Sequence, residues 1–92
     1  MEWDEKVKMV EHFNNGEYKE GVDVFLASKD NLDAQAIDMF ATGMSLREEH
    51  IKFAEPCVDI LKYWLNNEVI HWREAMRIGF IIDHFDKDFL LD

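Results

Sequence analysis

Few residues in this chain have types and spacings that could carry chemistry. Glu68-x-x-His71 is the spacing that, on a helix, places a carboxylate and an imidazole on one face. Di-iron carboxylate bundles use two such motifs and two further glutamates. Here His12, His50 and His84 each lack a glutamate three residues earlier, so the motif reads as a local Glu–His contact and no metal is expected. Asp83, His84, Asp86 and Asp88 gather near the C-terminus, but the central glycine and closing glutamate of a calcium loop are missing. Nucleophiles are scarce: two serines, one threonine and Cys57. Cys57 falls on an apolar stripe, which predicts a buried structural thiol. Ser28 and Ser45 stand at expected helix ends, a usual place for serine. There is no glycine-rich phosphate loop. Twenty acids offer many carboxylate pairs, and nothing singles one out. No catalytic residue or cofactor is assigned, and the chain is not read as an enzyme.

The elements that would position these residues are all helical. Apolar residues recur at helical spacing, and no stretch alternates with period two for long. A first helix is predicted from about Trp3 to Phe13, ended by Asn14-Asn15-Gly16, because Asn and Gly tolerate the left-handed conformation of a helix end. A second runs from about Glu17 to Ser28, with Tyr18, Val22, Phe25 and Leu26 on its apolar face. Asp30 or Asn31 then caps a third, from about Leu32 to Thr42. Ser45-Leu46-Arg47-Glu48 has the form of a capping box, so a fourth helix is expected to start near Leu46. Pro56 disfavours a helical Glu55 and predicts a kink or break at residues 54–55.

The organising stretch is Cys57 to Phe85, with two of the three tryptophans and the longest apolar run, Ile78 to Ile82. Asn66-Asn67 is either a turn or a polar patch on one helix of some 30 residues, a length unusual in a globular domain. The turn is favoured, with a last helix from about Glu68 to Phe85. That helix carries Val69, Trp72 and Met76 on one line and Ile78, Ile81, Ile82 and Phe85 on another. A helix apolar that far round is central to the core or keeps a second face for a partner. Residues 86–92 read as a short acidic tail with an apolar centre. The whole is one domain, residues 1–92, of four to six short helices packed as antiparallel hairpins in an irregular bundle.

Gly16, Tyr18, Gly21, Phe25 and Ser28 have the spacing of a turn followed by small, aromatic and small residues. This resembles the corner of a tetratricopeptide-type helical hairpin over about sixteen residues. The aromatic, leucine and glycine positions of that pattern's preceding helix fall on Glu5, Lys8 and Met9, and no second copy follows. The resemblance therefore implies hairpin packing rather than a repeat array.

Composition narrows the function. Twenty acids against ten Lys and Arg give a net charge of −10. Such a surface repels phosphate backbones and anionic membranes, so neither is expected as a direct partner. It steers the protein toward basic partners. A single cysteine fits a reducing compartment, the charged start MEWDEKVK has no apolar signal region, and a cytoplasmic location is expected. In size, acidity and helical class the chain looks like bacteriocin immunity proteins and small phage-encoded inhibitors. The expected function is thus inhibition or modulation of a protein with a basic surface, such as a nucleic-acid-handling enzyme. Glu48, Glu49, Glu55, Asp59, Asp83, Asp86 and Asp88 would act as a partial nucleic-acid mimic, with Tyr63, Phe89 and Leu90 as exposed anchors. The alternative is a structural or adaptor role through the apolar face of the last helix, as a homodimer or docking module, or through the tail as a linear anchor.

Overall fold

The structure, a computed structural model, describes residues 1–68 and 70–91, with the backbone alone at residue 91. Among the described residues there are six α-helices and no strand. They are α1 (Trp3–Asn14), α2 (Tyr18–Ala27), α3 (Ala34–Gly43), the single turn α4 (Glu48–Ile51), α5 (Val58–Asn67) and α6 (Trp72–Phe85). Short 3-10 segments occupy Lys29–Asn31, Lys52–Cys57 and Phe89–Leu91. The all-helical class and the irregular bundle follow the helical periodicity of the sequence.

Several boundaries differ from expectation, each for a local reason. Gly16 does end the first hairpin arm, with φ +77, and the Glu17 N–H closes back on the His12 carbonyl at 2.8 Å. The cap of α3 is Asp33, not Asp30 or Asn31. Its Oδ1 accepts from the Ala36 N–H at 2.8 Å, so Leu32 stays extended and the helix begins at Ala34. The expected capping box at Ser45 and Glu48 does not form. Ser45 Oγ instead accepts a long bond of 3.4 Å from the Arg47 N–H, and α4 starts two residues after Leu46. Pro56 lies within the 3-10 segment Lys52–Cys57, where its missing N–H and its ring interrupt the α-helical ladder. The chain does break after Asn67, but α6 begins at Trp72 rather than at Glu68. The expected place of Val69 on the last helix lies outside the described residues.

α1 pairs with α2, α3 lies across α1 and reaches α6, and α5 pairs with α6. Phe25 and Phe40 stack at 4.2 Å between ring centroids, and Phe13 meets Phe40 edge-on at 5.8 Å. Phe13 also occupies the space that two glycines leave open. A Cβ on Gly21 would lie 2.4 Å from its Cε1, and one on Gly43 2.6 Å from its Cδ2. Here the residues that resemble a repeat corner find their physical role: Gly21 admits Phe13, Phe25 is buried, and the buried Ser28 hydroxyl donates to Glu5 at 2.9 Å. That bond is the main reason the Glu5 carboxyl is held below its ordinary range.

The other half of the core is Leu61 on α5 with Ile78, Ile81 and Ile82 on α6. Cys57 is buried at the α5 start, as its place on the stripe predicts. A polar staple joins the chain's start to α3. The Lys6 ammonium, only 5% exposed, donates to Asp33 at 2.9 Å and to Gln35 at 2.7 Å. The Met1 ammonium donates to the Asn31 carbonyl on the same side. The tryptophans do not fill the core. Trp3 and Trp72 are more than half exposed, and Trp64 is only partly buried. Small helices in a chain this short leave too little interior for indole rings.

Candidate functional site

Two concave surfaces flank α5, and each receives some of the residues expected to bind a partner. The first lies between α5 and the segment Lys29 to Leu32 and encloses about 460 Å³. On α5, Asp59 and Tyr63 form one line at i,i+4 spacing, and Ile60 and Trp64 form the adjacent one. The concavity is therefore walled by aliphatic and aromatic groups and rimmed by the carboxylates of Asp59, Asp30 and Glu68. Asp30, Asp59 and Glu68 have no cation within salt-bridge distance among the described residues. Among the described residues, the one cation lining the rim is Lys29. Asn67 donates its side-chain amide to the Tyr63 carbonyl at 3.0 Å and steadies the last turn of α5. Tyr63 is exposed, as its position off the main stripe predicts.

The second surface is a groove of about 570 Å³ along α6. Its floor is Gly79 and Ala75, and its walls are Trp72, Met76, Phe80 and Leu90, with Asp83 at one end. Trp72, Met76 and Phe80 recur every fourth residue on α6 and are 62%, 66% and 54% exposed. The opposite line, Ile78, Ile81 and Ile82, is buried. The continuous apolar run of the sequence is thus split between core and surface. Exposed apolar residues on three consecutive turns form a contiguous patch of the kind that marks interaction sites.

The acids expected to act together are not gathered on one element. Glu48 and Glu49 lie on α4, Glu55 in the following 3-10 segment, Asp59 on α5 and Asp83 on α6. Glu48, Glu49 and Glu55 are exposed and have no cation within salt-bridge distance among the described residues. Asp86 is committed internally. Its carboxylate accepts from Lys62 at 2.8 Å, and that hydrogen bond chiefly holds its carboxyl below the usual range. Asp88 is exposed, while Phe89 is half-buried, with the Lys62 ammonium 5.1 Å from its ring centroid. Leu90 is exposed on its outer side and packs its Cδ1 over Gly79, 3.5 Å from where a Cβ would stand. The described part of the C-terminal segment is folded back on α5 and α6, which argues against a free linear anchor. Asp92 and the Leu91 side chain lie outside the described residues.

The motifs first considered for chemistry are resolved locally. Glu68 and His71 do not share a helix face, because they stand at the end of α5 and the start of α6. His71 Nδ1 caps α6 by accepting from the Arg73 N–H at 3.2 Å, with the Glu74 carboxylate 3.5 Å away. Among the described residues no three His, Cys, Asp or Glu side chains converge as a metal site would require. Burial, and to a lesser degree the charge of Asp23, pushes the Cys57 thiol up to about 12, which leaves it protonated and unreactive at neutral pH. His50 stacks on Tyr18 at 4.3 Å between centroids, and its Nδ1 is buried with no hydrogen-bond partner among the described residues.

Sequence reasoning missed Asp30, Trp64 and Glu68 as companions of Asp59 and Tyr63, and it missed Phe80 as a surface residue. For Phe80 a signal existed: it continues the Trp72–Met76 line by one more turn. For Asp30 none did, since its approach to α5 is a tertiary contact. Comparison of the chain with family models, with curated proteins and with solved structures finds no match.

Proposed function

We propose that this protein is a small acidic binding module that modulates another protein by taking up a basic segment of it. The observation that carries the reading is the concavity where Asp59 and Tyr63 meet Asp30, Trp64 and Glu68. An arginine or lysine side chain entering it finds aromatic faces for its cation and alkyl stem, and carboxylates for its N–H donors. The net charge of −10 adds long-range attraction and faster encounter. Basic grooves of the kind found in nucleic-acid-handling enzymes have the matching chemistry, and the exposed acids Glu48, Glu49 and Glu55, on other elements, add to the negative charge of the surface.

The test is a titration with an arginine-rich peptide and with a neutral peptide of the same length, at low and high salt. The expected result is saturable binding of the first alone, weakened by salt. Asp59→Lys and Tyr63→Ala should each weaken it by about tenfold. Equal binding of both peptides, or indifference to both substitutions, sinks the reading. Capture from a lysate at low and high salt would then name the natural partner.

A further inference from the structure

The groove on α6 is a different surface with a different charge character. Within α6, Arg73 and Arg77 balance Glu74 and Asp83, so this helix is formally neutral in a chain of net charge −10. A basic partner gains nothing there from the acid excess. A second copy of the same chain, repelled by the acid excess elsewhere, meets little repulsion there.

The ends of the apolar line carry opposite charges that form no ion pair among the described residues. Arg73, beside Trp72, has no carboxylate within salt-bridge distance among the described residues, and its guanidinium lies 5.5 Å from the Trp72 ring centroid. Asp83, at the other end of the groove, has no cation within that distance among the described residues. Ten residues of helix separate them, about 15 Å along the axis. Arg77 differs, being engaged with Thr42 and Glu74 at 3.2 and 3.4 Å.

We propose that the α6 groove is a self-association surface, with two copies pairing the exposed faces of their α6 helices antiparallel about a two-fold axis midway between Met76 and Phe80. In that arrangement the Arg73 end of each helix lies alongside the Asp83 end of its mate, and Met76 of each faces Phe80 of the other. An isologous contact requires this self-complementarity. The exposed parts of Trp72, Met76, Phe80 and Leu90 amount to on the order of 500 Å² per copy, or about 1,000 Å² for the pair. That is the lower limit for a specific interface, which fits a weak, concentration-dependent dimer.

Sedimentation equilibrium of the purified chain from low micromolar to millimolar concentration tests this. The expected result is a monomer–dimer equilibrium. Met76→Glu, at an exposed site, should abolish it without changing the circular dichroism spectrum, and Phe80→Gln should weaken it as an independent check on the same surface. Arg73→Asp and Asp83→Arg should each weaken the dimer by about tenfold. The double substitution should restore it, because the antiparallel mate regains opposite charges at both ends. A chain that stays monomeric throughout overturns the proposal and leaves the groove to another kind of partner. So does a dimer that survives Met76→Glu, or a double variant as weak as the single ones. None of these outcomes bears on the peptide titration, which reads a different surface.

Discussion

The Lys62 ammonium sits between the Asp86 carboxylate, 2.8 Å away, and the Phe89 ring, 5.1 Å from its centroid. One side chain of α5 thereby holds the C-terminal segment against the bundle through both an ion pair and a cation–π contact. Lys62→Met should release residues beyond Phe85 while leaving the bundle folded, and hydrogen exchange at the Phe89 amide should accelerate. Because the Asp86 carboxyl is held below its unfolded value, its contribution is present above about pH 4 and is lost as pH falls through its lowered folded value. Acidification of the parent protein should reproduce the loosening, and Lys62→Met should remove that pH dependence. Unchanged exchange in the variant contradicts this assignment.

Phe13 and its two glycines make a second prediction. The ring is pinned by Tyr18, Phe40 and the α2 and α3 backbones, so it cannot swing aside for a new methyl group. Gly21→Ala should destabilise the fold by about 2 kcal/mol through overpacking, despite alanine's better helix propensity. Phe13→Leu in the same chain should recover part of that loss, giving non-additive energies in a double-mutant cycle read by chemical denaturation. Simple additivity would mean that the contact is not the cause.

Cys57 gives a prediction at alkaline pH. Its thiol ionises near 12 in the folded protein, whereas an unfolded cysteine ionises near 8.5. Above the unfolded value the unfolded chain has lost the proton that the folded chain keeps, so stability falls as pH rises from there toward 12. The slope is about 1.4 kcal/mol per pH unit from this group. Urea midpoints between pH 8 and 10 should fall more steeply for the parent than for Cys57→Ala. At neutral pH a thiol reagent should modify Cys57 only after denaturant is added.

Asp33 serves two partners, the Ala36 N–H and the Lys6 ammonium. Burial alone would push its pKa up, but the Lys6 and Ala36 hydrogen bonds outweigh it and hold the carboxyl below its ordinary range. Asp33→Ala removes a helix cap and leaves a buried cation with only Gln35. It should destabilise by about 1–3 kcal/mol, whereas Lys6→Met, which keeps the cap and fills the same space with an apolar stem, should cost less. Thermal denaturation of the two variants gives the order. The reverse order would mean that Lys6, not the cap, dominates.

How much of this was legible in the residues depends on the range of the signal. Gly16 ends α1 because glycine takes the left-handed turn there without strain, and Pro56 interrupts the helix because it lacks an N–H; both effects act within one turn. Ser45 and Glu48 had the letters of a cap and did not form one, while Asp33 was passed over and did. Several residues near each helix start can cap it, and tertiary contacts such as Lys6 on Asp33 select among them. Of the expected partner residues, Asp59 and Tyr63 share one concavity, and Asp83 and Leu90 share the groove on the other side. Glu48, Glu49 and Glu55 lie apart on other elements, because acids scattered along a chain carry no information about which helices will adjoin.

By itself the sequence determined the helical class, the breaks near residues 16, 56 and 67, the burial of Cys57 and the acidity of the surface. Each follows from composition or from residues within four positions of one another. Only the tertiary structure decided which of the two apolar lines of α6 is covered, that Trp3 and Trp72 face outward, and that the C-terminal segment turns back onto Lys62. The physical reason is that a helix with two apolar faces satisfies its local pattern equally well with either one inward. The choice is made by the volume and shape of what packs against it, here Leu61 and α3 against Ile78, Ile81 and Ile82.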